Sequence, residues 1–324
     1  MKTLKLFLIS LMGFMWVNMV FATNLPGPLV ETDWLAKNQS KVVILDIRKD
    51  VKSFTKKPIF KKNKKTGKQT LKKVAGHIPG AILVNYKNLR TTKNIDGRKV
   101  VKMIVSKSAF EKLMQASGVN KDSAVVIVSK GQGDGDVTMA TRLYWQMKYY
   151  GHDNMAILNG GMAQWIVDKR AVSSEASKAN KGNWLVTAER SEILATSEDV
   201  ATAVKAKSQL VDTRSISLYL GTWRKKSYVF ANGHIPGAKP YPNELLSSKM
   251  PAKFLKVSDS KSLFEQMGIK TDKKSITYCN SGHLASGSWF VLSELMGNKN
   301  VKMYDGSMHQ WTLEKHDVTK MKME

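Results

Sequence analysis

Six residues occur twice in this chain. Gly76-His77-Ile78-Pro79-Gly80-Ala81 returns as Gly233-His234-Ile235-Pro236-Gly237-Ala238. A repeat of this length restricts the chain to two copies of one supersecondary unit. Aligning the copies brings further segments into step. Val42-Val43-Ile44-Leu45-Asp46-Ile47-Arg48 matches Leu210-Val211-Asp212-Thr213-Arg214. Ala124 to Ser129 matches the apolar run Ile276 to Tyr278 that ends at Cys279. A helical pattern from about Met139 to Tyr150, closed by Gly151, matches one from Ala285 to Met296, closed by Gly297. Asn159-Gly160-Gly161-Met162-Ala163-Gln164-Trp165 matches Asp305-Gly306-Ser307-Met308-His309-Gln310-Trp311.

Each unit alternates short apolar strands with amphipathic helices. That pattern predicts an α/β fold of two tandem domains, each a parallel sheet with helices on both faces. Ala171 to Asn183 is Ser, Ala, Lys and Asn without an apolar period, which reads as a linker. The expected division is an N-terminal domain at 28–170, a linker at 171–184 and a C-terminal domain at 185–318. Lys2 and Lys5 precede an apolar run from Leu6 to Val20, and Val20-Phe21-Ala22 supplies small residues for cleavage. Residues 1–22 therefore read as a secretory signal peptide cut after Ala22. The run is shorter than the roughly 20 residues a membrane span needs, so no span is expected after cleavage. The expected location is exported, in the periplasm.

Export normally brings disulfides, yet the chain has one cysteine. A lone thiol in that setting is a candidate reactive group. No C-x-x-C is present, which excludes a dithiol redox motif and c-type haem attachment. The six histidines show no metal-ligand spacing, so neither metal nor cofactor is expected. The net charge of +26 favours anionic partners. Export argues against nucleic acid.

Cys279 ends a predicted strand and sits in a short turn that opens a helix. In open parallel sheets, functional loops lie beyond the carboxyl ends of strands. Unpaired N–H groups of the turn and the positive helix N-terminus suit an anion held against the sulfur. The turn is Cys279-Asn280-Ser281-Gly282-His283-Leu284-Ala285. In the first repeat Ser129 takes the place of Cys279, followed by the acidic loop Lys130 to Asp136. A serine without a base is a poor nucleophile, so the N-terminal unit is expected to be chemically silent and to shape a cleft. Lys52 to Lys73 is lysine-dominated and lacks periodicity. It reads as an exposed basic insertion, either a solvated loop or a docking patch for an acidic protein partner.

These features together resemble the two-domain rhodanese-type sulfurtransferases. The marks are the repeated Gly-His-Ile-Pro-Gly-Ala, the Asp-x-Arg strand ends, the strand–Cys–loop–helix and the terminal Asp-Gly-Ser-x-x-x-Trp. The resemblance implies sulfur transfer through a persulfide on Cys279, from a small anionic donor such as thiosulfate to cyanide or a thiol. It implies substrate binding by Asn280, Ser281, Gly282, His283, Leu284 and Ala285. Asp212 and Arg214 match the family's Asp-x-Arg pair, with Asp212 as support and Arg214 as brace or donor contact. Two departures stand out. Ser281 occupies a position that is basic in vertebrate-type members, and Leu218 occupies that of a second arginine. Arg224, Lys225 or Lys226 are the expected replacements. The alternatives are 3-mercaptopyruvate transfer and a persulfide carrier that docks on a protein. Related phosphatases need an arginine six places after the cysteine, and Ala285 stands there.

Overall fold

A computed structural model describes residues 23–224 and 227–321. The signal-like stretch 1–22, together with Lys225 and Lys226, lies outside the described residues. Each half forms a five-stranded parallel sheet. In the first half the strand order is Leu29–Val30, Met155–Leu158, Val125–Val128, Val43–Arg48, Ile82–Asn85. In the second half it is Leu194–Ala195, Val301–Tyr304, Ser275–Tyr278, Gln209–Asp212, Lys239–Pro240. The order is the same, so the duplication seen in sequence is a duplication of topology.

The central strands are apolar on both faces because both faces are covered. Along Val125–Val128, Val125 and Ile127 join one core, while Val126 and Val128 join another on the opposite face. The first of these cores is shared between the halves. It contains Trp145 from the Asp134–Tyr149 helix and Trp289 from the Ala285–Phe290 helix, both fully buried. Those helices pack together, with Tyr144 edge-on to Phe290 at 4.9 Å and a Thr141–Ser286 hydroxyl bond of 2.8 Å. A large buried apolar side chain stabilises by about 1.5–3 kcal/mol, so the interface holds the halves as one unit.

The repeated motifs are explained by contact with each other. Arg48 pairs with Asp46 and donates to the carbonyl of Gly76 at 3.1 Å. Arg214 pairs with Asp212 and donates to the carbonyl of Gly233 at 2.7 Å. In both halves the Asp-x-Arg strand end thus clamps the Gly-His turn. Both glycines have positive φ, and a Cβ on Gly233 would stand 2.2 Å from the carbonyl oxygen of Thr319. His77 pairs with Ser173, and His234 pairs with Thr319, as short antiparallel bridges. The segment read as a linker is strapped along the N-terminal domain: Gly182 donates to Gln115, and Trp184, itself buried, donates to Val119.

Three expectations change. The helix placed at about Met139 begins at Asp134. Asp134 and Asp136 favour a helix N-terminus, and the glycines around them hide the apolar period. The Ala285–Met296 helix is α-helical only to Phe290, and Val291–Leu295 form a wider π turn. The Lys52–Lys73 insertion contains an antiparallel hairpin, Ile59–Lys62 with Gln69–Lys73. Its strands are exposed except for Leu71, and Ile59 and Phe60 face solvent. A second hairpin, Arg90–Ile95 with Arg98–Ile104, turns at Asp96-Gly97, both with positive φ, and reaches across to the C-terminal domain.

Candidate active site

The Ser275–Tyr278 strand delivers Cys279 to a cavity of about 770 Å³ between the domains. The cysteine is 2% exposed. Its position is fixed from behind by Ser307. Ser307 Oγ accepts the Cys279 N–H at 3.1 Å and the Gly282 N–H at 3.0 Å, and donates to the Tyr304 carbonyl at 2.8 Å. Ser307 adopts φ +51, a left-handed conformation unusual for a residue with a Cβ. At the matching place in the first repeat Gly161 has φ +56. The backbone ties are also repeated: Met308 and His309 donate to Cys279 and Asn280, as Met162 and Ala163 do to Ser129 and Lys130.

The loop curls so that the Ser281 N–H lies 3.4 Å from Cys279 Sγ. Among the described residues, nothing accepts from the backbone N–H groups of Asn280, His283 and Leu284. Asn280, Ser281, His283 and Leu284 line the cavity with Cys279. His283 lies under Tyr86, ring centroids 4.8 Å apart, with its Nε2 3.1 Å from Thr138 Oγ1. Burial, with the cations Arg90 and Arg142 nearby, pushes its pKa down to about 3. The ring is therefore neutral at ordinary pH.

Four residues read as donor-binding, Arg214 among them as brace or contact, do not line this cavity. Gly282 turns inward: its N–H is taken by Ser307, and a Cβ there would stand 2.5 Å from Asp305 Oδ1. Ala285 starts the helix, fully buried, and its carbonyl accepts from Thr277 Oγ1 at 3.1 Å. Arg214 is committed to Asp212 and the Gly233 carbonyl, so it holds the strand end against the Gly233-His234 turn; its neighbours Thr213 and Ser215 line the cavity instead. Arg224 lines a different hollow, with Gly221, Phe230 and Lys320.

The cations at the cavity come from the N-terminal domain. Lys49, Lys87, Arg90 and Lys102 all line it. Arg90 donates to the Ser281 carbonyl at 2.5 Å and to Ser281 Oγ at 3.0 Å. Behind the loop, Arg142 donates to the Gly282 carbonyl at 2.9 Å and pairs with Asp305 at 2.5 Å. Asp305 also accepts the Ile104 N–H at 2.7 Å. Sequence reading missed these groups because they lie far from Cys279 along the chain. The one local signal was Asp96-Gly97, which marks a hairpin turn.

The model of the Rhodanese-like domain matches residues 31–168 and 196–314. The chain belongs to the rhodanese family. Among its relatives is the "Sulfur carrier protein TtuD" of Thermus thermophilus, 29% identical over 297 residues, covering 88% of this chain and 94% of that protein. Two solved structures share the rhodanese fold. One is SseA from Escherichia coli, whose title speaks of 3-mercaptopyruvate sulfotransferases; it has a TM-score of 0.68 at 24% identity, covering 87% of this chain and 98% of that one. The other is Tum1 from Saccharomyces cerevisiae, with a TM-score of 0.70 at 19% identity, covering 89% and 96%. Within this rhodanese the two repeats differ at two positions that meet at the Cys279 loop. Cys279 stands for Ser129, and Ser307, which holds the Cys279 loop, stands for Gly161.

Proposed function

We propose that this protein is a sulfurtransferase that carries a sulfane sulfur on Cys279, with thiosulfate as donor. In the first step Cys279 Sγ bonds to the outer sulfur of thiosulfate. The sulfur–sulfur bond of thiosulfate breaks, and sulfite leaves with its electron pair. In the second step a nucleophile attacks the outer sulfur of the persulfide and the Cys279 thiolate is returned. Cyanide leaves as thiocyanate, and a thiol leaves as its own persulfide. Asn280, Ser281, His283 and Leu284 surround the reacting sulfurs. Their backbone N–H groups stabilise the anionic persulfide, and neutral His283 offers a hydrogen bond without competing for the proton. Asp212 and Arg214 brace the strand end.

The observation that carries this reading is a lone cysteine at a strand end, facing an inter-domain cavity bordered by four cations. Thiocyanate formation from thiosulfate and cyanide tests it. Cys279→Ser should lose the activity while keeping the far-ultraviolet circular dichroism of the parent. Transfer that survives in Cys279→Ser would refute the assignment, and transfer supported by 3-mercaptopyruvate alone would replace the donor.

A second reading, a persulfide carrier that hands sulfur to an acidic protein, is favoured by the lysine hairpin with its exposed Ile59 and Phe60. Such docking weakens steeply with salt, whereas transfer to a small neutral acceptor does not. Residues 1–22 support export to the periplasm. No described helix is long and apolar enough to cross a membrane.

A further inference from the structure

The cavity is much larger than a five-atom inorganic donor requires. About 770 Å³ falls within the range, roughly 300–1,000 Å³, of pockets that hold whole organic ligands. Its walls combine apolar groups (Tyr86, Met139, Leu218, Tyr228) with cations. The cations are not equivalent. Arg90 is spent on Ser281. Lys49, Lys87 and Lys102 have no ion-pair partner among the described residues.

Lys102 is placed by an unusual backbone. The Arg90–Ile95 and Arg98–Ile104 strands shift register between Thr91 and Lys93, and Lys102, across from that irregularity, adopts φ +66. A lysine in the left-handed region is strained and persists only where its surroundings hold it. Here the surroundings do so. The Lys102 carbonyl accepts from Arg90 Nε at 3.0 Å, and its ammonium sits 4.1 Å from the centroid of the Tyr228 ring. The flanking N–H groups of Val101 and Ile104 are held by His309 Nε2 and Asp305 in the C-terminal domain, at 3.0 and 2.7 Å. The bulge thus re-aims one lysine of the silent domain into the reactive cavity. Burial first, then the positive neighbours Arg90 and Lys49, lower the Lys102 pKa, while the Cys279 charge raises it. An anion bound there relieves that crowding.

We propose that Lys102, with Lys49 and Lys87, forms a carboxylate subsite beyond the reacting sulfur, and that the preferred sulfur acceptor is a peptide-sized thiol bearing carboxylates. This rests on the reading of Cys279 as persulfide carrier. The persulfide's outer sulfur bonds to the acceptor thiolate, the bond to Cys279 breaks, and the cysteine thiolate is restored. The lysines hold the carboxylates and take no part in the bond changes.

The test compares two acceptors with thiosulfate as donor: glutathione, which is anionic, and 2-mercaptoethanol, which is uncharged. Lys102→Asn removes the charge, and asparagine tolerates the left-handed backbone. The expected result is a fall of about tenfold in the ratio of kcat/KM for glutathione to that for 2-mercaptoethanol, equivalent to losing one charge contact, with the loss in KM. Lys102→Arg should restore the ratio, which a merely structural role would not predict. Should Lys102→Asn fail to fold, Lys87→Gln gives the same reading from a neighbouring lysine. A ratio unchanged within about twofold, or an equal loss for both acceptors, would overturn the subsite. Failure of the underlying reading looks different: thiosulfate would then load no sulfur on Cys279 in the parent protein.

Discussion

Ser307 holds the Cys279 loop from behind. Its hydroxyl accepts two loop N–H groups, and its backbone is held at φ +51 to do so. Two substitutions separate these effects. Ser307→Gly relieves strain of roughly 1–3 kcal/mol and loses three hydrogen bonds, the one to the Tyr304 carbonyl included, worth about 1 kcal/mol each. Its stability in urea should therefore lie between that of the parent and about 2 kcal/mol below it, while kcat/KM falls on the order of tenfold as the loop loosens. Ser307→Ala keeps the strain and loses the bonds. It should be destabilised by about 3 kcal/mol, with a similar loss of activity. Equal stabilities for the two variants would show that the left-handed conformation carries no cost. Sequence alone exposed Cys279, because a lone thiol after a strand is conspicuous. It did not expose Ser307, because a backbone angle is not written in a residue type, although the Gly161 counterpart pointed toward a glycine-like position.

At the scale of elements, the Asp134–Tyr149 helix closes over the reactive loop, and His283 shows the consequence for pH. The helix places Thr138 against its ring, and burial with Arg90 and Arg142 lowers its pKa to about 3, well below the unfolded value near 6.5. The unfolded chain therefore binds this proton more readily. The stabilising contribution is complete above about pH 6.5 and is lost as pH falls toward about 3. Urea unfolding at pH 7.5 and 4.5 should show a smaller acid loss in His283→Gln than in the parent. Equal losses would mean the ring is protonated in the fold. Strands and the repeated turns were legible because their signals are local: apolar runs, Gly-His turns and Asp-x-Arg ends. The start of this helix was not, since Gly133 and Gly135 carry no apolar phase. Nor was the lysine hairpin, whose strands bury only Leu71 and so show no alternation.

At the scale of the molecule, the N-terminal repeat, with Ser129 where the C-terminal repeat has Cys279, supplies much of the cavity wall. Its hairpin and long helix converge on Asp305, which pairs with Arg142 and accepts the Ile104 N–H. Asp305→Asn leaves a buried arginine without its counter-charge. It should cost about 3–5 kcal/mol, seen as a lower midpoint in denaturant, with sulfur transfer falling in parallel. An unchanged midpoint would mean that the apolar interface alone joins the domains. The two-domain plan could be read from sequence because duplication is visible in one dimension. The source of the cavity's cations could not, because Arg90 and Ser281 stand 191 residues apart. The sequence offers Arg224 within the C-terminal half, whereas the cations that border the cavity, Lys49, Lys87, Arg90 and Lys102, come from the other domain. The most direct measurement is the intact mass of the protein before and after brief exposure to thiosulfate. The account predicts a gain of about 32 Da, one sulfur atom, located on Cys279 and removed by cyanide. A protein whose mass does not change, or that gains sulfur in Cys279→Ser, would contradict it.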